Sequence, residues 1–323
     1  MALVNHSTPS KRGMFPGRFS ADLGVKKPVQ FLNATSTGAR LVRASAGPGR
    51  NLAAVVARAT FDIDRDRLVL TPERPWPAGA EAVETPWGTF APDTPFPKEG
   101  IDVFVLGSAW QPRGLPATEL TLAIHVGTAL ERRIAVIGDR TWIRQDGVLV
   151  PGEPRQFVSM PLTYQNAYGG RGAANPLGKG FYASEREALG RPLPNLEDPD
   201  ARIRCFADRP DAVGTGPCPQ CGGRSHLIID PDRAPHPGAM VEITHATPQG
   251  AVRFALPDFR MHVRVDLAEG ERRLPMVLDE IAVFTEPRRV FLAYRAAFEY
   301  AGAGLRAELR MDAPPEFDAE SGE

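Results

Sequence analysis

The stretch VLDEIAVFT (residues 277–285) is followed by EPRR (286–289) and then by VFLAYRAAF (290–298). Both flanking runs are rich in β-branched and aromatic residues, which favour strands, and Pro287 favours a turn between them. Residues 277–298 are therefore predicted to form a β-hairpin.

Strand patterns extend to both sides of this hairpin. Residues 260–267 alternate apolar and polar side chains, as a half-buried strand does. Towards the N-terminus, the apolar run 52–63 continues after polar residues 64–67 into residues 68–71, which predicts two strands around a turn. A short helix over 52–58 is the alternative.

Further strands are predicted at 101–106, 120–126 and 133–137, and Asp146-Gly147 marks a hairpin turn between 142–144 and 148–150. Only residues 184–189 indicate a helical turn, and strands do not alternate with helices, which disfavours a parallel α/β sheet. The predicted fold class is mainly β. We expect antiparallel sheets in a sandwich-like arrangement, with long Gly/Pro-rich loops and few short helices.

Glycine and proline are in excess, with 31 and 32 residues among 323. Together they are 63 of 323 residues, about 20% of the chain. This combined fraction lies above the usual roughly 12% and below the roughly 25–30% that marks a disordered chain. Seven prolines fall within residues 72–97, which excludes a helix or a central strand and predicts a surface-covering loop.

The composition along the chain predicts one domain with two flexible ends. Residues 1–24 are predicted to form a flexible arm, and the acidic residues 313–323 a disordered tail. The single domain spans 25–312. It is predicted to be β-rich over 50–150, loop-rich over 151–239 and β-rich again over 240–300.

The charge balance of 38 Lys+Arg against 39 Asp+Glu argues against a nucleic-acid partner. No run of 18 apolar residues predicts a membrane helix, and the N-terminus lacks the apolar core of a secretory signal. Three cysteines, an odd number, fit a reducing compartment better than a disulfide framework. We expect a cytoplasmic protein with no membrane partner.

Cys218 and Cys221 have the Cys-x-x-Cys spacing that lets two thiolates reach one metal ion. Cys205 and His226 could complete a tetrahedral set, with His236 as a substitute, so one structural zinc is the predicted cofactor. The alternative is a loop with two incidental or redox-sensitive thiols. No His-x-Glu accompanies the pair, which argues against a zinc deaminase.

No nucleophile or nucleotide motif is complete. Gly-x-Ser-x-Gly and His-Glu-x-x-His are absent. Residues 172–180 depart from the phosphate-binding loop in spacing and lack its Ser/Thr. No catalytic residue is predicted.

An ordered series of short motifs fills the loop-rich part of the chain. The series is Gly138-Asp139-Arg140-x-Trp142, Met160-Pro161-Leu162-x-Tyr164, Ala167-Tyr168-Gly169-Gly170, Asn175-Pro176-x-Gly178-x-Gly180-Phe181 and Leu193-Pro194-Asn195-x-Glu197-Asp198-Pro199. It resembles the domain of unknown function 2169 family, encoded beside type VI secretion spike and toxin genes in Gram-negative bacteria. The resemblance spans roughly residues 50–298.

This resemblance implies a non-enzymatic adaptor or chaperone, which binds a toxin effector and helps load it onto the VgrG spike. The implied partners are the secreted effector and VgrG/PAAR spike proteins. Two alternatives stay open. One is a zinc-dependent enzyme centred on Cys218 and Cys221, and the other is a structural component of the secretion machine.

Dense Gly, Asn, Pro and aromatic residues, where the strand pattern is lost, make loops 138–142 and 160–199 the candidate interaction surface. The candidate partner-binding residues are Asp139, Arg140, Trp142, Tyr164, Tyr168, Gly169, Gly170, Asn175, Gly178, Asn195 and Glu197.

Overall fold

The computed structural model describes residues 29–47, 50–71, 81–218, 222–267, 269–301 and 304–312. The predicted arm 1–24 and the predicted tail 313–323 lie outside these ranges. Within them, the single α-helix is α1 (Glu185–Ala188), where one helical turn was predicted. Three 3₁₀ turns cover Pro112–Gly114, Tyr164–Asn166 and Pro231–Arg233. None of the described helices has the length and apolar character needed to cross a membrane.

The rest of the regular structure is β-strand, as predicted. The strands are β1 (Val29–Asn33), β2 (Gly38–Gly47), β3 (Arg50–Asp64), β4 (Arg67–Leu70), β5 (Val83–Thr85), β6 (Gly88–Phe90), β7 (Ile101–Leu106), β8 (Ser108–Trp110), β9 (Glu119–Val126), β10 (Leu130–Ile137), β11 (Trp142–Gln145), β12 (Val148–Pro151), β13 (Ser159–Pro161), β14 (Tyr168–Gly169), β15 (Lys179–Gly180), β16 (Leu196–Glu197), β17 (Leu227–Ile229), β18 (Met240–Thr247), β19 (Gly250–Ala255), β20 (Met261–Leu267), β21 (Gly270–Pro275), β22 (Val277–Phe284), β23 (Arg289–Ala301) and β24 (Leu305–Met311).

The predicted hairpin over 277–298 forms the centre of a seven-stranded sheet. Its strand order is β17-β7-β22-β23-β3-β2, and β4 also pairs with β3. Most neighbours are antiparallel, whereas β7 and β22 are parallel. Their long connection allows the crossover that a parallel pair requires.

Two smaller sheets pack with the large one. The five-stranded sheet has the order β16-β10-β9-β18-β19, and the four-stranded sheet has the order β1-β24-β20-β21, with β1 parallel to β24. The strands β1, β2 and β24 were not predicted. β2 includes glycine, alanine and two arginines, a composition that is depleted in strands and hides the pattern.

One large hydrophobic cluster contains side chains from all three sheets. It includes Val55 of the seven-stranded sheet, Ile124 of the five-stranded sheet and Val263 of the four-stranded sheet, and each of these side chains is fully buried. A second cluster, which includes Phe104 and Phe291, covers the other face of the seven-stranded sheet. Because β7 is buried on both faces, its sequence is a continuous apolar run without alternation.

The proline-rich loop predicted over 72–97 is described from residue 81, and Trp76 lies outside the description. Its described part has no helix or central strand, as predicted, and contains only the short hairpin β5–β6. Trp87 packs edge-on against Phe284, with ring centroids 5.4 Å apart. The loop therefore covers one face of the seven-stranded sheet.

Candidate functional site

The motif-rich segment, which we call the loop module (residues 138–199), is held by buried asparagines. Asn195 is fully buried, and its Nδ2 donates to the Ile137 carbonyl at 2.8 Å and to Asp139 Oδ1 at 3.1 Å. Its backbone N–H donates to the Asn166 carbonyl at 2.7 Å. Asn195 thus satisfies two backbone carbonyls, that of Ile137 through its side chain and that of Asn166 through its own N–H.

Asn175 has the same function in the loop after Tyr168. Its Nδ2 donates to the Tyr164 carbonyl at 2.7 Å and to the Tyr168 carbonyl at 3.3 Å. Glycine is required beside it, because a Cβ on Gly169 would lie 2.1 Å from the Asn175 carbonyl oxygen. A Cβ on Gly178 would lie 2.6 Å from Asn175 Nδ2. The glycines at positions 169 and 178 are therefore needed so that the backbone can pack closely against Asn175.

Arg140 and Glu197 form a buried ion pair at the base of the loop module. Glu197 also accepts hydrogen bonds from Arg202 Nε at 2.9 Å and from the Ile203 N–H at 3.3 Å. Arg202 continues to Glu119 with contacts of 2.7 and 3.0 Å. Burial lowers the pKa of Arg140 and raises that of Glu197, against the opposite effect of their pairing. The network joins β9, β16 and the following loop.

The aromatic motif residues form small cores of their own. Trp142 is buried with Tyr168 and Leu193, and its Nε1 donates to the Gly180 carbonyl at 3.2 Å. Tyr164 packs over Gly214, where a Cβ would lie 2.5 Å from the ring. These side chains fix the loops from inside.

The structure places most of the eleven candidate partner-binding residues in the interior. Arg140, Trp142, Tyr164, Tyr168, Gly169, Asn175, Asn195 and Glu197 are buried, Gly170 and Gly178 are half-buried, and Asp139 is exposed. The motifs do not show from sequence alone which way their side chains point. The motifs hold the backbone of the loop module from inside, and its exposed side chains belong to neighbouring residues.

One such outward surface lies on the predicted hairpin β11–β12. Asp146 and Gly147 both have positive φ, 49° and 84°, as a tight two-residue turn requires. The strand register places Ile143 opposite Val150 and Gln145 opposite Val148. We call these four side chains the outer hairpin face. Ile143 is 40% exposed and Val148 is 51% exposed, so both present apolar surface to solvent on this face.

The predicted zinc ligands are only partly described. Cys218 is buried, Cys205 is half-buried and His226 is exposed. Among the residues that the structure describes, no group of three or more His, Cys, Asp or Glu side chains could hold a metal ion. Cys221 lies outside these residues, so the zinc site stays a prediction.

A second site, not predicted from the sequence, is a cavity of about 380 Å³ on the outer side of the seven-stranded sheet. One wall is the strap (residues 91–98), which follows β6. The other walls are sheet residues, including Arg58, Glu280 and Arg295, and the loop residues 222–224. We call this space the charged cavity.

Buried ion pairs surround the charged cavity. Arg58 contacts both Asp93 oxygens at 2.8 Å, and Arg295 contacts Asp279 at 3.0 and 3.1 Å. Lys98 Nζ lies 2.7 Å from an oxygen of Asp102, its nearest carboxylate. Burial disfavours the charged ammonium, but the surrounding carboxylates more than offset it and raise the pKa of Lys98.

Periodicity could not have found this cluster. The strand register shifts between Leu278 and Glu280, which is a β-bulge. The side chains of Asp279 and Glu280 therefore both reach Lys98, at 3.5 and 3.3 Å, although consecutive residues in a regular strand point to opposite faces. Asp102 lies inside an apolar run, where no signal marks a site.

The comparison with protein families gives a match over most of the chain. The sequence model of one family, described as "Uncharacterized protein conserved in bacteria (DUF2169)", matches residues 48–224 and 224–295. No curated protein matches the chain, and no solved structure matches it.

Proposed function

The chain belongs to this uncharacterised bacterial family, DUF2169, and we propose that it is a non-enzymatic adaptor. In this proposal it binds a toxin effector in the cytoplasm and helps load it onto the VgrG spike of a type VI secretion system. The family resemblance of the motif series suggests these partners. PAAR-type spike proteins are the further partners proposed.

The observation that carries the proposal is the outer hairpin face on a rigid loop module. Ile143 and Val148 are exposed, whereas Trp142 and Leu149 of the same hairpin are buried. The hairpin is therefore anchored on one face and free to contact a partner on the other. Binding surfaces are commonly formed by loops that a rigid scaffold holds in place.

Binding through this face would be driven mainly by apolar burial. Each buried aliphatic side chain contributes roughly 1.5–3 kcal/mol. With a net charge of −1, long-range electrostatic steering towards a partner is weak. The adaptor is thus expected to bind through local shape and apolar contact, and its affinity should depend only weakly on salt concentration.

Co-purification with proteins encoded beside this chain tests the proposal. Tagged wild-type protein should retain a neighbouring toxin or spike protein at micromolar concentration. The variant Ile143→Asp/Val148→Asp should retain at least about tenfold less, because two apolar contacts are replaced by desolvated charges. Leu115→Asp is the matched control, since Leu115 is 65% exposed in a loop outside the loop module.

Retention of no neighbouring effector or spike protein by the wild type would contradict the proposal. Equal retention by both variants would move the surface elsewhere. A fixed copy number in purified secreted assemblies would favour a structural component instead. The predicted structural metal site would be established if the wild type contains one equivalent of zinc and the Cys218→Ser variant both loses the zinc and melts at a lower temperature.

A further inference from the structure

One edge of strand β10 is only partly paired. β16 pairs with β10 at Ala135 and Val136 alone. If this register continued, Arg133 would lie opposite Pro199, which has no N–H to donate to a neighbouring strand. The first half of β10 therefore has no described strand beside it in the position that β16 occupies further along.

The main-chain groups of Arg133 point towards this open edge. On the β16 side, the Ile137 N–H donates to the Asn195 carbonyl at 2.8 Å. On the β9 side, the Gly138 N–H donates to the Thr118 carbonyl at 2.8 Å. Because consecutive residues of a strand direct these groups to opposite edges, the odd-numbered residues of β10 face the β16 side. The N–H and carbonyl of Arg133 thus face the open edge, and they form no hydrogen bond with any residue that the structure describes.

A groove of about 550 Å³, which we call the edge groove, runs along the open edge. Its lining includes four consecutive residues of β10, 131–134. Side chains of consecutive strand residues alternate between the two faces of a sheet, so a space that touches all four lies at the edge of the strand. The other walls are residues 198–200, His226 and the buried Val213 and Leu227. The volume lies in the range of ligand pockets, roughly 300–1,000 Å³.

The charged side chains of the edge groove are not balanced within it. Three carboxylates, those of Glu131, Asp198 and Asp200, line it together with the two guanidinium groups of Arg132 and Arg133. Glu131 lies 3.5 Å from Arg133. Neither Asp198 nor Asp200 forms an ion pair with a residue in the described part of the chain. The lining therefore favours a basic side chain on a bound molecule over an acidic one.

We infer that the edge groove binds an extended segment of a partner polypeptide, which adds as a strand to the open edge of β10. Main-chain hydrogen bonds to Arg133 supply the pairing that Pro199 cannot, and such strand addition is a common mode of peptide recognition. A segment that alternates apolar and basic residues fits the mixture of buried apolar residues and unpaired carboxylates in the lining. The edge groove shares no residue with the outer hairpin face, so binding here does not depend on the partners proposed above.

Fluorescence anisotropy of a labelled octapeptide of alternating valine and lysine, titrated with the full chain, tests the inference. The titration is made at constant ionic strength and pH 8, where His226 is uncharged. We expect saturable binding of one equivalent. The octapeptide of alternating valine and glutamate has the same main-chain groups and should bind at least about fivefold more weakly, because its charges repel Asp198 and Asp200.

Backbone methylation of the peptide tests strand addition directly. One peptide is N-methylated at every valine and another at every lysine, so that each lacks the donors of one strand edge. At least one of the two should lose binding. Absence of saturable binding by the valine–lysine peptide, or unchanged binding of both methylated peptides, would overturn the inference.

Two pairs of variants locate the site. Arg133→Pro removes the N–H that faces the open edge and should weaken binding at least about fivefold, whereas Arg133→Ala keeps it and should not weaken binding. Because proline also fixes φ, a second pair leaves the backbone unchanged. Asp200→Lys should weaken binding at least about threefold, while Glu99→Lys, at a 91% exposed side chain outside the edge groove, should change it less than about twofold.

Equal affinity in all four variants would place the peptide elsewhere and contradict the site. A second copy of the chain is the other possible occupant of an open strand edge. Dimerisation of the wild type that Arg133→Pro abolishes, without any binding of the peptide, would overturn the inference in favour of that copy.

Discussion

Glu197 and Glu119 bind the same guanidinium, that of Arg202, but differ in burial. Glu197 is almost fully buried and also pairs with Arg140, whereas 41% of the Glu119 side chain is exposed. Removing the buried charge leaves Arg140 buried without a counter-charge. Removing the exposed charge leaves Arg202 partly hydrated. The two positions therefore separate a structural ion pair from a surface one.

We predict that Glu197→Gln lowers the free energy of unfolding by about 3 kcal/mol or more. Glu119→Gln should lower it by no more than about 1 kcal/mol. Urea denaturation of both variants measures the difference. Equal losses would mean that Arg140 finds another partner and that the pair does not anchor the loop module.

A second residue-scale prediction concerns pH. Burial alone would raise the pKa of Asp312, but hydrogen bonds from Arg273 and His262 lower it below its usual value. A carboxyl whose pKa is lower in the folded state stabilises the fold above its unfolded pKa of about 4. That contribution is lost as the pH falls through the folded value.

Asp312→Asn should therefore lower stability by about 1 kcal/mol at pH 6, and the difference from wild type should shrink as the pH falls below the unfolded pKa of about 4 and vanish once it is below the folded pKa. Urea denaturation between pH 2.5 and 6 measures it. Asp266→Asn is the control, because Asp266 and Arg306 are both exposed and their charged atoms lie as far as 4.0 Å apart. A constant difference across the pH range would show that Asp312 acts through packing instead of charge.

At the scale of elements, the strap is held to the sheet mainly by charge. Asp93 receives both terminal nitrogens of Arg58, and the two side chains are 3% and 7% exposed. Asp93→Asn should lower the free energy of unfolding by about 3–5 kcal/mol and increase hydrogen exchange in residues 91–98. Denaturation and exchange mass spectrometry measure the two effects.

Glu99→Gln is the control for the strap, because Glu99 is 91% exposed and pairs with Arg224 at 3.3 Å. Its effect should stay within about 1 kcal/mol, with unchanged exchange. Unchanged exchange in Asp93→Asn would instead show that the apolar contacts of the preceding loop, such as Trp87 on Phe284, hold the strap alone.

The sequence predicts those elements whose environment is uniform along their length. β3, β7 and the hairpin β22–β23 are buried on both faces or nearly so, and their apolar runs make them visible. β1 and β2 are edge strands with mixed burial, and their sequences carry no clear period. In β1 the burial alternates but the outward Leu32 is apolar, and in β2 the burial is irregular, so neither sequence shows the apolar–polar period of a strand.

The candidate site was predicted less completely than the fold. The motif series located the loop module, but polar residues such as Asn195 and Glu197 suggest exposure, and only the tertiary structure shows that they are buried. The charged cavity joins Arg58 to Asp93 and Lys98 to Glu280, pairs that are distant in sequence. No local pattern encodes such pairs, and the bulge at Asp279 breaks the period that would have placed its side chain.

At the scale of the whole molecule, the sheet centre is built from distant parts of the chain. β22 pairs with β7 and β23 pairs with β3, so the early strands are joined only through the late hairpin. We predict that a chain ending at residue 275 shows no cooperative thermal transition by circular dichroism, because β7 then lacks its neighbour β22 and β3 lacks its neighbour β23. A chain ending at residue 312 and the full chain should both unfold cooperatively. A cooperative transition in the shorter chain would mean that the remaining sheets form a stable unit on their own.

This placement of β22 and β23 also has a consequence for biosynthesis. A ribosome produces β3 and β7 long before it produces the hairpin that lies between them in the sheet. Throughout that interval the nascent polypeptide presents two apolar strands, each with an edge that only the later hairpin pairs, which is a condition that favours aggregation. We therefore expect the yield of native protein to depend on translation speed and on chaperones that bind the emerging chain. The yield should rise when expression is slowed by low temperature.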